Sequence, residues 1–178
     1  MAAKRVRESP RSAYEDGLRR LARRDHSEAE LRQALLRKGF AAEEVQLALD
    51  RLVRNRHLDD VAFAERFARS RLASQARGRN HVRVALASRG VEPAIADQAL
   101  AEALRDVSEA EMLDQLAKKY WAQRKREEPR QRLRKLWNFL LRRGYPPEIV
   151  SRRLRTLWPG LRDTIEDLDE TTAGVSPT

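Results

Sequence analysis

Apolar positions along this chain recur in a pattern that appears three times. With Gly39 as origin, Leu31 and Leu35 stand eight and four positions before it, and Val45 and Leu49 six and ten after it. About Gly90 the same offsets hold Val82, Leu86, Ala96 and Leu100; about Gly144 they hold Leu136, Leu140, Val150 and Leu154. A basic residue precedes each glycine (Lys38, Arg89, Arg143), and an apolar or aromatic one follows (Phe40, Val91, Tyr145). Apolar residues four apart before the glycine, and four and seven apart after it, place one stripe on each of two helices. The glycine falls where a helix C-terminus needs a left-handed residue, with a cation just inside to complement the helix dipole. Pro93 and the Pro146-Pro147 pair fall at the start of the next helix, where a missing N–H costs little. The pattern therefore predicts helix, glycine turn, helix, three times over.

Each pair has a helix before it. In residues 12–56, Ser12 caps a helix to about Arg24 with Tyr14, Leu18, Leu21 and Ala22 on its apolar side. Ser27 and Glu30 form a capping box that opens the second helix, and the third runs from about Ala42 to Arg54. In residues 57–106, the paired Asp59 and Asp60 suit the entry of a helix from about Val61 to Gln75, carrying Phe63 and Phe67 and ended by Gly78. Helices from about Asn80 to Arg89 and from Pro93 to Arg105 complete that unit. In residues 107–160, a second capping box, Ser108 with Glu111, opens a helix bearing Met112, Leu113, Leu116, Tyr120 and Trp121. Helices Arg130 to Arg143 and Pro147 to Trp158 follow, and Trp158-Pro159-Gly160 is a stop. The expected fold is all-α, three tandem three-helix units of helix-turn-helix type. Residues 1–11 read as a basic mobile tail.

Charge sharpens this picture. Charged residues make up 36% of the 178, above the usual quarter, so the cores must be small and the surface well solvated. The net charge is +10, with 31 Arg against 6 Lys, a balance suited to phosphate or carboxylate partners because the guanidinium fork pairs bidentately. Residues 163–178 hold Asp163, Glu166, Asp167, Asp169 and Glu170 and no Lys or Arg. Removing those five negative charges leaves +15 on residues 1–162, and segment 161–178 reads as an acidic disordered tail. Without cysteine there are no disulfides and no thiolate zinc sites. No apolar run reaches membrane-spanning length, and the N-terminus lacks an apolar signal core, so a soluble, cytoplasmic protein without membrane contact is expected.

No catalytic chemistry is legible. The seven glycines never approach a phosphate-binding spacing. His26, His57 and His81 are far apart, each beside a helix terminus, and read as capping or surface residues. Asp59 and Asp60 read as helix entry in preference to a metal pair. The expectation is no enzyme, no cofactor and no metal. What rises above background is basic: between Gln123 and Arg155 twelve cations face Glu127, Glu128 and Glu148, and six of the ten aromatics lie in or beside that stretch. Such interleaving suits single-stranded nucleic acid, although core packing is the favoured reading of the aromatics. Sequence-specific reading of double-stranded DNA has little support, since Ala41 to Asp50 offers only Gln46 as an amide. The candidate partner or nucleic-acid contacts are the basic positions at the glycine turns and in the third unit: Lys38, Arg89, Arg124, Lys125, Arg126, Arg134, Lys135, Arg142, Arg143, Arg152 and Arg153.

Four segments carry a family resemblance: LARRDHSEAELRQALLRKGF, LVRNRHLDDVAFAERFARSR, GRNHVRVALASRGV and LWNFLLRRGYPPEIV. In this order and spacing they resemble the RecX family of recombination regulators over about residues 14–158, LDDVAFAERFARSR being the most specific piece. One departure is Gly78-Arg79, where the family often has Gly-Pro; it is expected to loosen the start of that helix. The resemblance implies an elongated, curved array of three units that binds the RecA filament, lodges in its helical groove, and inhibits ATP hydrolysis, strand exchange and RecA-stimulated repressor cleavage; a monomer is expected. Repeats that contact mainly their neighbours are compatible with tracking a helical partner. The alternative is a module that binds single- or double-stranded DNA on its own.

Overall fold

The computed structural model describes residues 12–173. The described chain forms ten α-helices: α1 (Ala13–Leu21), α2 (Glu28–Arg37), α3 (Ala42–Arg54), α4 (Asp60–Gln75), α5 (Arg79–Ala87), α6 (Pro93–Asp106), α7 (Glu109–Gln123), α8 (Pro129–Arg142), α9 (Pro147–Leu157) and α10 (Arg162–Ala173). One 3₁₀ turn, Pro159–Leu161, joins the last two. The described residues contain no strand. The expected basic tail, 1–11, lies outside them.

The sequence repeat is a packing repeat. Leu31, Val82 and Leu136 are completely buried, as are Leu35, Leu86 and Leu140, and the positions six and ten after each glycine are at most 3% exposed. These residues seed three separate apolar clusters, one for each trio α1–α3, α4–α6 and α7–α9. Three small cores follow from so charged a composition, since no face has enough apolar area to bury a larger one. Gly39, Gly90 and Gly144 all adopt positive φ (96°, 72° and 87°), which L side chains resist. The turn N–H groups bond back into the preceding helix, Phe40 to Leu35, Val91 to Leu86 and Tyr145 to Leu140. That closure satisfies carbonyls the helix end leaves open.

Most starts and stops fall within a few residues of the expected ones, and the differences have physical causes. Helix α1 ends at Leu21 rather than near Arg24. Helix α4 is ended not by Gly78 but by Ala76, held in the left-handed region at φ 46°. Gly78 instead caps the start of α5. The box at Ser27 and Glu30 is complete, whereas at α7 only the Ser108 half forms, its Oγ accepting the Glu111 N–H. Asp59 caps α4 through Ala62, but its neighbour Asp60 accepts from the backbone N–H of Glu28 in another unit.

The acidic segment departs furthest from expectation. Residues 162–173 are not disordered: they form α10, which lies on α8 and α9. Ile165 is completely buried in the third cluster, with Leu161 and Leu168 beside it. The Trp137 indole donates to Thr172 Oγ1 at 3.2 Å, and Ser151 Oγ donates to Asp169 at 2.6 Å. Trp137 and Ser151 stand seven before and seven after Gly144. In the other units those offsets hold polar pairs that bridge the two helices in the open, Arg32 with Gln46 and Arg83 with Asp97. A tryptophan where the sister units carry arginine requires a cover, and α10 supplies it.

Candidate partner-binding surface

The units meet by one repeated geometry. At the first junction, Ser27 Oγ donates to the Arg89 carbonyl at 2.5 Å and the Glu28 N–H donates to Asp60 at 2.8 Å. At the second, the Gly78 N–H donates to the Arg143 carbonyl at 2.9 Å and the Arg79 N–H donates to Glu109 at 2.8 Å. In each case the glycine turn of one unit sits on the first turn of the middle helix of the unit before. A carboxylate from the later unit's opening helix takes that helix's next free N–H. Exposed C-terminal carbonyls and N-terminal N–H groups satisfy each other, and the dipoles of α8, α5 and α2 meet end to end. The Tyr145 hydroxyl donates across the second junction to the Ala76 carbonyl at 3.2 Å, and burial pushes its pKa up to about 12. No hydrogen bond or ion pair joins the first unit to the third among the described residues.

This geometry accounts for the cations at the turns. Lys38 reaches Asp16 and lies 5.4 Å from the centre of the Phe40 ring. Arg89 donates to the Ala85 carbonyl, lies near Glu30 at 3.7 Å and covers Phe67. Arg143 donates to the Gln75 carbonyl across the junction and covers Phe139. All three hold the molecule together. In the third unit, Arg153 forms a bidentate pair with Asp114, Lys135 pairs with Glu127 at 3.1 Å, and Arg124 lies 3.8 Å from the centre of the Tyr120 ring. Lys125, Arg126, Arg134, Arg142 and Arg152 are exposed and have no ion pair with any described residue. The structure does not gather these five into one pocket.

The aromatics are not laid out for base stacking. Trp137 and Tyr145 are 1% exposed, Tyr120 packs on Phe139, and Trp121 lies 4.5 Å from Trp158, ring centre to ring centre. The histidines behave as expected of residues at helix ends. His26 is buried, with Nδ1 against the Arg24 carbonyl at 3.0 Å, and burial lowers its pKa. No group of three or more metal-ligating side chains occurs among the described residues. No described helix is long and apolar enough to cross a membrane.

A cleft of about 590 Å³ between the first and second units brings Arg89, a sequence candidate, together with cations that sequence reasoning passed over. Arg24, Arg66, Arg71 and Arg89 line it, with Asp25, Glu30 and the Phe67 ring. Arg66 is held by Asp25 and Arg24 by Glu30, while Arg71 lies 4.8 Å from the centre of the Phe67 ring and donates to the Gln75 side chain. Beyond it, at the C-terminal end of α4, Arg71 and Arg143 both donate to Gln75, and the Gly144 turn lies against His81. Burial first, and then the charges of Arg77, Arg71 and Arg143, lower the pKa of that imidazole. None of these three arginines has a carboxylate partner among the described residues. The signal was in the sequence: Phe63, Phe67 and Arg71 share one stripe of α4, and an apolar stripe that runs into arginine marks where the core gives way to a charged rim.

Three helix–turn–helix units docked end to end, with cations along the surface, define a helical-repeat protein. Family models for the first, second and third three-helix domains of RecX match residues 13–52, 59–100 and 108–154 in that order. The chain belongs to the RecX family of regulatory proteins. It is 35% identical over 142 residues to the regulatory protein RecX of Trichlorobacter lovleyi, covering 79% of this chain and 92% of that one. It is 37% identical over 126 residues to the RecX of Amycolatopsis mediterranei, covering 71% of each. The crystal structure of RecX from Lactobacillus salivarius superimposes with a TM-score of 0.74 over 82% of this chain and 94% of that one, at 20% identity. A second RecX crystal structure gives 0.71 at 24% identity, over 77% of this chain and 68% of that one, so the fold persists where the sequence has largely changed.

Proposed function

We propose that this protein is a non-catalytic regulator that binds the RecA filament on single-stranded DNA and inhibits its ATP hydrolysis, strand exchange and stimulation of repressor cleavage. The observation that carries this reading is the match of all three RecX units in order. The mechanism is multivalent: once one unit engages, the next is held at high effective concentration, so weak contacts sum along the array. The exposed cations Lys125, Arg126, Arg134, Arg142 and Arg152, together with Arg71 at the α4 cleft, are the proposed contacts to acidic protein surface or DNA phosphate. The protein acts in the cytoplasm as a monomer, and the extra N-terminal turn of α8 supports that reading because it leaves no third middle-helix start, at the register of α2 and α5, for another copy's glycine turn to sit on.

The deciding experiment is RecA ATP hydrolysis on single-stranded DNA, titrated with this protein, with a second arm containing excess free DNA. Inhibition at amounts well below one per RecA that survives the excess is the expected result. Inhibition that vanishes with free DNA favours the second reading, a module acting on nucleic acid alone, which draws its support from Arg71, Arg77 and Arg143, none of which has a carboxylate partner among the described residues.

A further inference from the structure

Each internal junction seats a glycine turn on a helix start, and the first unit presents the same turn with no described residue seated against it. A Cβ added to Gly90 would collide with Ala29 Cβ, and one added to Gly144 would collide with the His81 backbone, whereas one added to Gly39 meets nothing within 4 Å. The Arg89 and Arg143 carbonyls each accept a cap donor, Ser27 Oγ or the Gly78 N–H. No described residue donates to their counterpart, the Lys38 carbonyl. The residue after the glycine is buried in the second and third units, as Val91 and Tyr145, but only partly buried in the first, as Phe40. On the last turn of α2, Leu36 is 43% exposed.

We infer that the Gly39 turn is a third seat of the same kind, and that its occupant is the N-terminal turn of a helix on the protein partner. The chemistry is set by the two occupied seats: a hydroxyl or free N–H at the cap position to reach the Lys38 carbonyl, and a small side chain or bare backbone within the first turn. Among the middle helices, which fill both occupied seats, a second copy of this chain has no such end to offer. The starts of α2 and α5 are already taken. Helix α8 begins four residues further back than they do, relative to its glycine, so Arg132 stands inside the helix where the caps Ser27 and Gly78 stand. Arg132 is itself buried, donating to the carbonyls of Trp121 and Glu127. The array is thus closed at its C-terminal end and open at Gly39.

This inference rests on the reading of the protein as a RecA regulator, and the test separates the two. Inhibition of RecA ATP hydrolysis is titrated for the full-length chain and for Gly39→Asn and Leu36→Glu, with thermal unfolding of each as a folding control. Asparagine tolerates the left-handed backbone but fills the space that close approach requires. The expected result is that each variant needs at least about tenfold more protein for half-inhibition, with its unfolding transition retained. If Gly39→Asn fails to fold, Leu36→Glu decides, since it alters an already exposed helix position. Variants that inhibit as well as the parent overturn the seat and leave the regulator reading standing. A parent chain that does not inhibit at all overturns both.

Discussion

Arg79 gives Glu109 both its backbone N–H, at 2.8 Å to Oε1, and its guanidinium, with Nε at 2.7 Å and Nη2 at 2.6 Å from Oε2. Glu109 is 5% exposed and belongs to the next unit, thirty positions away. The residue after Gly78 was expected to loosen the start of α5 by replacing the proline often found there in the family. It does the reverse: it keeps an N–H that proline lacks, and the second junction uses it.

Removing that carboxylate should therefore cost more than a surface ion pair does. Glu109→Ala is expected to lower stability by about 1.5–3 kcal/mol, because a charge-assisted pair is lost and a half-buried N–H is left unpaired. Arg79→Pro should also destabilise, since proline helps only where no N–H was engaged. Urea unfolding checks both, and an Arg79→Pro variant more stable than the parent would refute this account.

Helix α10 makes the third unit a four-helix body. Ile165→Ala is expected to cost about 2–5 kcal/mol, the range for truncating a fully buried aliphatic side chain, and to shift Trp137 emission to the red as water reaches the indole. An unchanged spectrum and transition would mean that α10 does not cover the indole.

Asp16 ties α1 to the first turn. Burial opposes its ionisation, but hydrogen bonds from Lys38 and Arg20 outweigh that and hold its pKa below the ordinary 3.8. A lowered carboxylate pKa adds stability that is complete above 3.8 and is lost as pH falls through the folded value. Asp16→Asn should thus be less stable than the parent by roughly 1–3 kcal/mol at neutral pH, with the gap closing below pH 3.8. Thermal unfolding across pH 2.5–7 reads the difference (a titration range set by the sign of the shift).

If phosphate is engaged at the end of α4, the salt dependence will show it. Arg71→Ala and Arg77→Ala should each reduce the slope of log affinity for a single-stranded oligonucleotide against log salt by about 0.7, one phosphate contact apiece. Fluorescence anisotropy measures this. In the parent, added oligonucleotide should raise the His81 pKa by neutralising the arginines around it, which an NMR titration follows. A His81 titration unmoved by oligonucleotide would place the phosphates elsewhere.

By itself, the sequence determined the units. Periodicity at three and four, a glycine in each turn and hydroxyl or proline starts are local signals, and local hydrogen bonding and burial obey them; hence Leu31, Val82 and Leu136 could be placed in three cores without coordinates. The family was legible for the same reason, since its motifs are those of the repeat. What each cation does was decided only by tertiary structure. Lys38, Arg89 and Arg143 share a repeat position that suggested a repeated partner contact, and the structure gives each of them a partner inside the molecule, because what a cation pairs with depends on which carboxylate or carbonyl the fold brings beside it. The acidic segment could be misjudged on the same ground: composition alone made it solvated, whereas its fold depends on a partner surface, the one Trp137 leaves uncovered between α8 and α9. The trace of that surface was in the sequence, as a tryptophan at a position where the sister units carry arginine. Only the assembled unit shows that the helix needed to bury it lies in the segment that follows.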